Sequence, residues 1–156
     1  MEAVHALVQL RPDTRKVSDF VVFMALDWSN PTAFNCLLRG GANPNAKNQS
    51  NYRDALLHRA ACRGLIEQTR TLIACGANIH ERDGNDFTPL GSALNGTGER
   101  AAAWGKERRQ VALLLLQAGA RVDEWQFRGR SSALELSPLE PDILEALICQ
   151  SQAYLA

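Results

Sequence analysis

The 156-residue sequence predicts an all-α fold built from repeated pairs of short helices. A helix-ending phrase follows an apolar run three times, as "GGANPN" at 40–45, "CGANIH" at 75–80 and "AGARVD" at 118–123. Glycine suits the residue after a helix because that position takes a positive φ. A helix-starting phrase also recurs, as "ALLHRAA" and "TPLGSAL", whose leucines Leu57 and Leu90 stand 33 residues apart. Self-similarity at such a period is typical of repeat proteins.

The first half of the chain predicts a cap and two repeats. Residues 1–17 predict an N-terminal capping helix, because small and apolar residues of "EAVHALVQL" share one helical face. The first repeat is 18–47, with "FVVFMA" as its first helix and "SNP" as the cap and first turn of its second helix. The second repeat is 48–82.

The second half predicts a third repeat, 83–124, and a terminal one, 125–156. Thr88-Pro89 begins the third repeat, since a Thr oxygen can cap free N–H groups and Pro suits the first helical position. About ten extra residues, at about 95–110, separate its two helices. The letters "ERAAAW" favour a helix, so we expect a helix extension followed by an exposed loop. The terminal repeat is predicted to act as a cap.

These phrases resemble the ankyrin repeat, whose pattern is roughly G-x-T-P-L-H-x-A-A, a Gly turn, a second helix ending L-L, then G-A-D/N-x-N. The resemblance covers roughly residues 18 to 148, and it implies a solenoid of stacked helix-turn-helix units joined by hairpin-like fingers. It also implies that His58 bonds to nearby backbone and braces the turn. The second repeat matches the pattern best, at Leu57, His58, Ala60, Ala61, Gly64, Ile66, Glu67, Leu72, Ile73, Gly76, Ala77, Asn78 and Ile79.

Composition and charge exclude several classes of protein. Seventeen basic and seventeen acidic side chains give a formal charge of zero, so no global charge attracts nucleic acid or an anionic membrane. The N-terminus carries no basic leader, and the apolar runs fall short of a membrane span, so we expect a cytoplasmic protein. Four scattered cysteines predict neither a zinc site nor a disulfide framework. We expect a monomer.

No motif predicts catalysis. The segment "GTGERAAAWGK" at 96–106 contains G-x-G-x-x-A and a Gly-Lys pair, but it lacks the phosphate-loop spacing and no strand precedes it. His5 and His80 have no partner at ligand spacing, and Ser131-Ser132 lacks the setting of a nucleophile. We therefore expect no enzyme activity, no cofactor and no metal.

The resemblance implies a protein-binding surface on the finger tips and the exposed face of the first helices. Tyr, Trp, Phe and Arg, which dominate interface energetics, are frequent at those positions. We expect a concave, locally basic surface whose partner offers acidic and apolar groups. The predicted contact residues are Tyr52, Arg53, Asp54, Arg59, Arg63, Asn85, Phe87, Asn95, Trp125, Phe127, Arg128 and Arg130.

The sequence is compatible with three functions. The leading one is a non-enzymatic protein–protein interaction module. The alternative is a dedicated inhibitor, immunity or regulatory partner of a specific enzyme or toxin, which the short single-domain chain suggests. The third, an enzyme that uses the insertion, has the least support.

Overall fold

The computed structural model describes residues 17–28, 30–49, 53–95 and 105–121, apart from the side chain of Asn95. The predicted N-terminal cap, the terminal repeat and residues 96–104 of the insertion lie outside the described residues. Tyr52, Trp125, Phe127, Arg128 and Arg130 also lie outside them.

Helices form the regular secondary structure of the described residues, which confirms the all-α class. An isolated β-bridge joins Lys47 and Ala55 within this part of the chain. No helix among the described residues is long and apolar enough to cross a membrane. In chain order the helices are α1 (Asp19–Asp27), α2 (Pro31–Arg39), α3 (Leu56–Cys62), α4 (Ile66–Ala74), α5 (Pro89–Asn95) and α6 (Gly105–Gln117).

The helix starts follow the capping chemistry of the sequence. Asn30 precedes α2, and its Oδ1 accepts a hydrogen bond from the Ala33 backbone N–H at 3.1 Å. Thr88 precedes α5, and its Oγ1 accepts from the Gly91 N–H at 3.2 Å. Each cap satisfies one of the N–H groups that a helix leaves free at its start. Both predicted starts are confirmed.

The helix ends fall at glycines with left-handed backbone. Gly41, Gly76 and Gly119 follow α2, α4 and α6 with φ values of 102°, 82° and 96°. In each case a backbone bond closes the last turn, as where the Ala77 N–H donates to the Leu72 carbonyl at 2.9 Å. The three predicted stop phrases are therefore helix ends.

The helices pack in two rows. The pairs α1–α2, α3–α4 and α5–α6 each pack together, α3 lies between α1 and α5, and α4 lies between α2 and α6. Buried alanines such as Ala60, Ala61 and Ala93 let neighbouring first helices approach closely. Larger side chains fill the space between the rows. The largest fully buried ones include Val22, Leu26, Phe34, Leu56, Leu57, Leu72, Leu90, Val111 and Leu115.

Part of the insertion departs from its prediction. We expected an extension of the first helix and an exposed loop, but the stretch from Gly105 lengthens the second helix, α6, to 13 residues against nine in α2 and α4. The start of this longer helix contacts the turn at Gly64. A Cβ placed on Gly64 would lie 2.9 Å from the Glu107 Cβ and 3.0 Å from the Arg108 N. The start of α6 thus packs directly on the preceding helix pair.

Candidate partner-binding surface

The second finger, which joins α4 to α5, has its tip fixed by one carboxylate. Asp83 Oδ1 accepts from the backbone N–H groups of Asn85, at 2.8 Å, and Phe87, at 2.9 Å. The Asp83 N–H donates to the Phe87 carbonyl at 3.0 Å. This is the turn that Asp83-Gly84 predicts. The predicted contact residues Asn85 and Phe87 are half-buried at this tip.

The first finger, which joins α2 to α3, is tied to the second. Asn45 Oδ1 accepts from the Asn78 N–H at 2.7 Å. The Lys47 ammonium bonds to the Glu81 carboxylate, and this bond lowers the pKa of Glu81 below its ordinary value. These two contacts hold the first finger in register with the second.

The buried His58 ring hydrogen-bonds to the backbone of both fingers. The Ala55 N–H donates to its Nδ1 at 3.3 Å, and its Nε2–H donates to the Phe87 carbonyl at 2.9 Å. The ring is therefore the neutral tautomer with the proton on Nε2. Burial lowers the pKa of His58, although the bond to Phe87 and the nearby Asp83 and Asp54 act in the opposite direction. The bracing role that the resemblance implies is confirmed.

Arg59 of α3 and Arg63, which directly follows α3, form a cluster with two aspartates, here called the Asp27 cluster: Asp27, Asp54, Arg59 and Arg63. Asp27 Oδ1 lies 2.9 Å from Arg63 Nη1 and 3.5 Å from Arg59 Nη1. Arg59 Nε also donates to Asp54 Oδ2 at 2.8 Å, and its guanidinium lies 6.0 Å from the centre of the Phe23 ring. Arg63 Nη2 donates to the Asp27 carbonyl at the end of α1, at 3.1 Å. The cluster ties α1 to α3.

This geometry corrects the expectation for Arg59 and Arg63. We expected both side chains to be exposed and to make the surface basic, but they are only 31% and 26% exposed. Asp27 and Asp54 offset their charge because packing of α1 on α3 brings Asp27 beside both arginines. Asp54 is itself only 14% exposed. Among the predicted contact residues whose side chains are described, the exposed one is Arg53, on the first finger.

An exposed apolar side of α1 was not predicted from the sequence. Phe20, Val21 and Trp28 are 71%, 46% and 74% exposed. Helical spacing places them on one side together with Met24. A signal was present in the run "FVVFMAL", which is apolar around the whole helix. Since one side of α1 packs on α2 and α3, the surplus apolar residues must face outward.

Metal-binding chemistry is absent from the part of the chain that the structure describes. No group of three or more His, Cys, Asp or Glu side chains there could hold a metal ion. Cys36, Cys62 and Cys75 are free thiols.

Comparison with known proteins identifies a partial likeness. No protein-family model matches the chain. Over 80 residues, 51% of its length, the chain is 39% identical to Alpha-latrotoxin-Lg1a of Latrodectus geometricus. The chain matches about 6% of the length of that toxin.

Proposed function

We propose that the chain is a short ankyrin-repeat solenoid that binds a partner protein and has no enzymatic activity. Three features support the repeat assignment. Helix pairs follow one another in two rows, left-handed glycines follow the second helix of each pair, and His58 joins one finger to the next. A fourth, terminal repeat would complete the array.

The observation that carries the binding proposal is the exposed side of the first-helix row. Phe20 and Trp28 stand there with most of their surface in water, although burying an aromatic ring is strongly favourable. Beside them, the Asp27 cluster holds two arginines in fixed orientations. Exposed aromatics next to ordered charges are typical of interface hot spots.

The partner surface must be complementary to these exposed aromatic and charged side chains. Apolar groups would cover Phe20 and Trp28. Acidic groups would approach Arg53, which is exposed on the first finger. Arg59 and Arg63 would supply orientation more than net charge, because Asp27 and Asp54 already pair with them. We further propose a cytoplasmic monomer that binds no nucleic acid.

An affinity pull-down from the native source, followed by mass spectrometry, tests the proposal. The test bait carries Phe20→Ala and Trp28→Ala on the first-helix row. The matched control carries Glu67→Ala and Arg70→Ala, which remove an exposed pair from the second-helix row. We expect the wild-type and control baits to retain a common partner that the test bait loses. Circular dichroism establishes that all three are folded.

The opposite pattern, in which only the control bait loses the partner, would move the interface to the second-helix row. The same experiment separates the alternative function. If the recovered partner is an enzyme or a toxin, its activity is measured with and without one equivalent of this chain. Stoichiometric inhibition favours the inhibitor or immunity role, and unchanged activity favours the general binding module.

A further inference from the structure

The second helix of the middle pair, α4, buries polar side chains where the other second helices bury apolar ones. Counted back from the glycine that follows each helix, Thr69 of α4 is equivalent to Phe34 of α2 and Ala112 of α6. All three residues are 0% exposed. Gln68, which precedes Thr69 in α4, is 5% exposed. Burial of a polar side chain costs free energy unless the group is hydrogen-bonded.

The Thr69 hydroxyl is buried without a hydrogen-bond partner among the described residues. The backbone at this position is intact, since the Thr69 N–H donates to the Leu65 carbonyl at 2.9 Å. Thr71, two residues further along α4, is different, because its Oγ1 donates to the Glu67 carbonyl at 3.0 Å. A buried hydroxyl that forms no such bond bears the full cost of leaving water. Thr69 therefore weakens the packing of α4.

Little apolar burial in α4 offsets this cost. Among the described second helices, α4 buries one apolar side chain, that of Leu72, whereas α2 buries two and α6 buries four. Ile66 and Ile73 of α4 are only partly buried against the core. Burial of apolar surface is the main stabilising term in such an array, and each helix pair is held by its interfaces with the next. Segments with few buried apolar side chains open before the rest of a fold.

We propose that α4 is a point of local opening in the array, which separates from α2 and α6 at a lower free-energy cost than unfolding of the whole chain. Opening of α4 also releases the second finger, because that finger begins at the end of α4. There the Ala77 N–H donates to the Leu72 carbonyl at 2.9 Å, and the Asn78 N–H donates to Asn45 Oδ1 of the first finger at 2.7 Å. This inference concerns the free chain and does not depend on the proposed function.

Two threonine-to-valine substitutions in the same helix test the cause of the opening. Thr69→Val keeps the shape of the side chain and removes the unpaired hydroxyl, whereas the matched control, Thr71→Val, removes a hydroxyl that is bonded to Glu67. Both exchange the same residue types in α4, so a difference between them comes from the surroundings of the hydroxyl. We expect Thr69→Val to raise the folding equilibrium constant of the full-length chain at least about fivefold in urea denaturation. Thr71→Val should leave this constant unchanged or lower it.

Native-state hydrogen exchange, followed by NMR, measures the opening itself. In the wild-type chain the amides of α4 and of Asn78 should be protected at least about tenfold less than the amides of Ala60 and Ala61 in α3. Thr69→Val should slow exchange in α4 and at Asn78 at least about fivefold, because it stabilises the closed form. Thr71→Val should not slow it.

Three results would overturn the proposal. A folding constant for Thr69→Val that is unchanged or lower would mean that the hydroxyl is satisfied in the folded chain. Equal protection of α3 and α4 in the wild-type chain would mean that α4 opens only when the whole fold opens, and this comparison needs no variant. Fast exchange in α4 with full protection at Asn78 would refute the release of the second finger.

Discussion

The contact between Gly64 and α6 yields a quantitative prediction for Gly64→Ala. Gly64 is buried and has a φ of 68°. An L side chain in that conformation costs roughly 1–2 kcal/mol, and the reduced freedom of the unfolded chain returns about 0.4–1 kcal/mol. The new methyl would also meet Glu107 Cβ at 2.9 Å and the backbone N of Arg108 at 3.0 Å. Overpacking of this kind adds about 1–3 kcal/mol.

The expected loss for Gly64→Ala is therefore about 1–5 kcal/mol in the free energy of unfolding. Gly76→Ala is a matched control, because Gly76 has a φ of 82° but nothing lies within 4 Å of an added Cβ. The cost for Gly76→Ala is the backbone strain less the gain from the unfolded chain, about 0–1.6 kcal/mol. Urea denaturation followed by circular dichroism at the helix band measures both values.

The difference between the two variants isolates the contact with α6. Equal losses would refute the packing of α6 on the Gly64 turn. A loss for Gly64→Ala that disappears when residues 96–104 are deleted would show that the contact depends on the rest of the insertion. The helical signal of the folded baseline must be the same in both variants, since a change there would mean that α6 itself had been lost.

Three further predictions concern the core, the buried histidine and the Asp27 cluster. Leu72→Ala should lower the free energy of unfolding by about 2–5 kcal/mol, because Leu72 is fully buried; an unchanged urea midpoint would contradict its place in the core. Burial lowers the pKa of His58, so as the pH falls the unfolded chain binds the proton before the folded chain does. The stability that the neutral His58 contributes should therefore be present above about pH 6.5 and be lost as the pH falls through the folded-state pKa. His58→Gln should reduce this slope between pH 5 and pH 7, and an identical slope would contradict the assignment. Asp27→Ala should cost about 1 kcal/mol or less at low salt and less at high salt, since Arg59 and Arg63 are partly exposed, and urea titrations at two ionic strengths test this.

Local chemistry made much of the fold predictable. The caps at Asn30 and Thr88 and the left-handed backbone at Gly76 involve atoms within a few residues along the chain, so a short phrase specifies them. The interval between Leu57 and Leu90 then indicated how such phrases repeat. The role of His58 followed from the resemblance, because its bonds to backbone depend on the fold and not on the identity of other side chains.

Contacts between distant side chains were decided only by the tertiary structure. Arg63 pairs with Asp27, 36 residues away, and no local pattern in the sequence links the two. The same packing leaves Phe20 and Trp28 exposed on α1 and sets the start of α6 against Gly64. The sequence by itself determined where helices begin and end, because capping and backbone preference act over a single turn. Which charges are offset and which apolar side chains remain exposed depends on how helices stack, and stacking brings together residues that the chain keeps far apart.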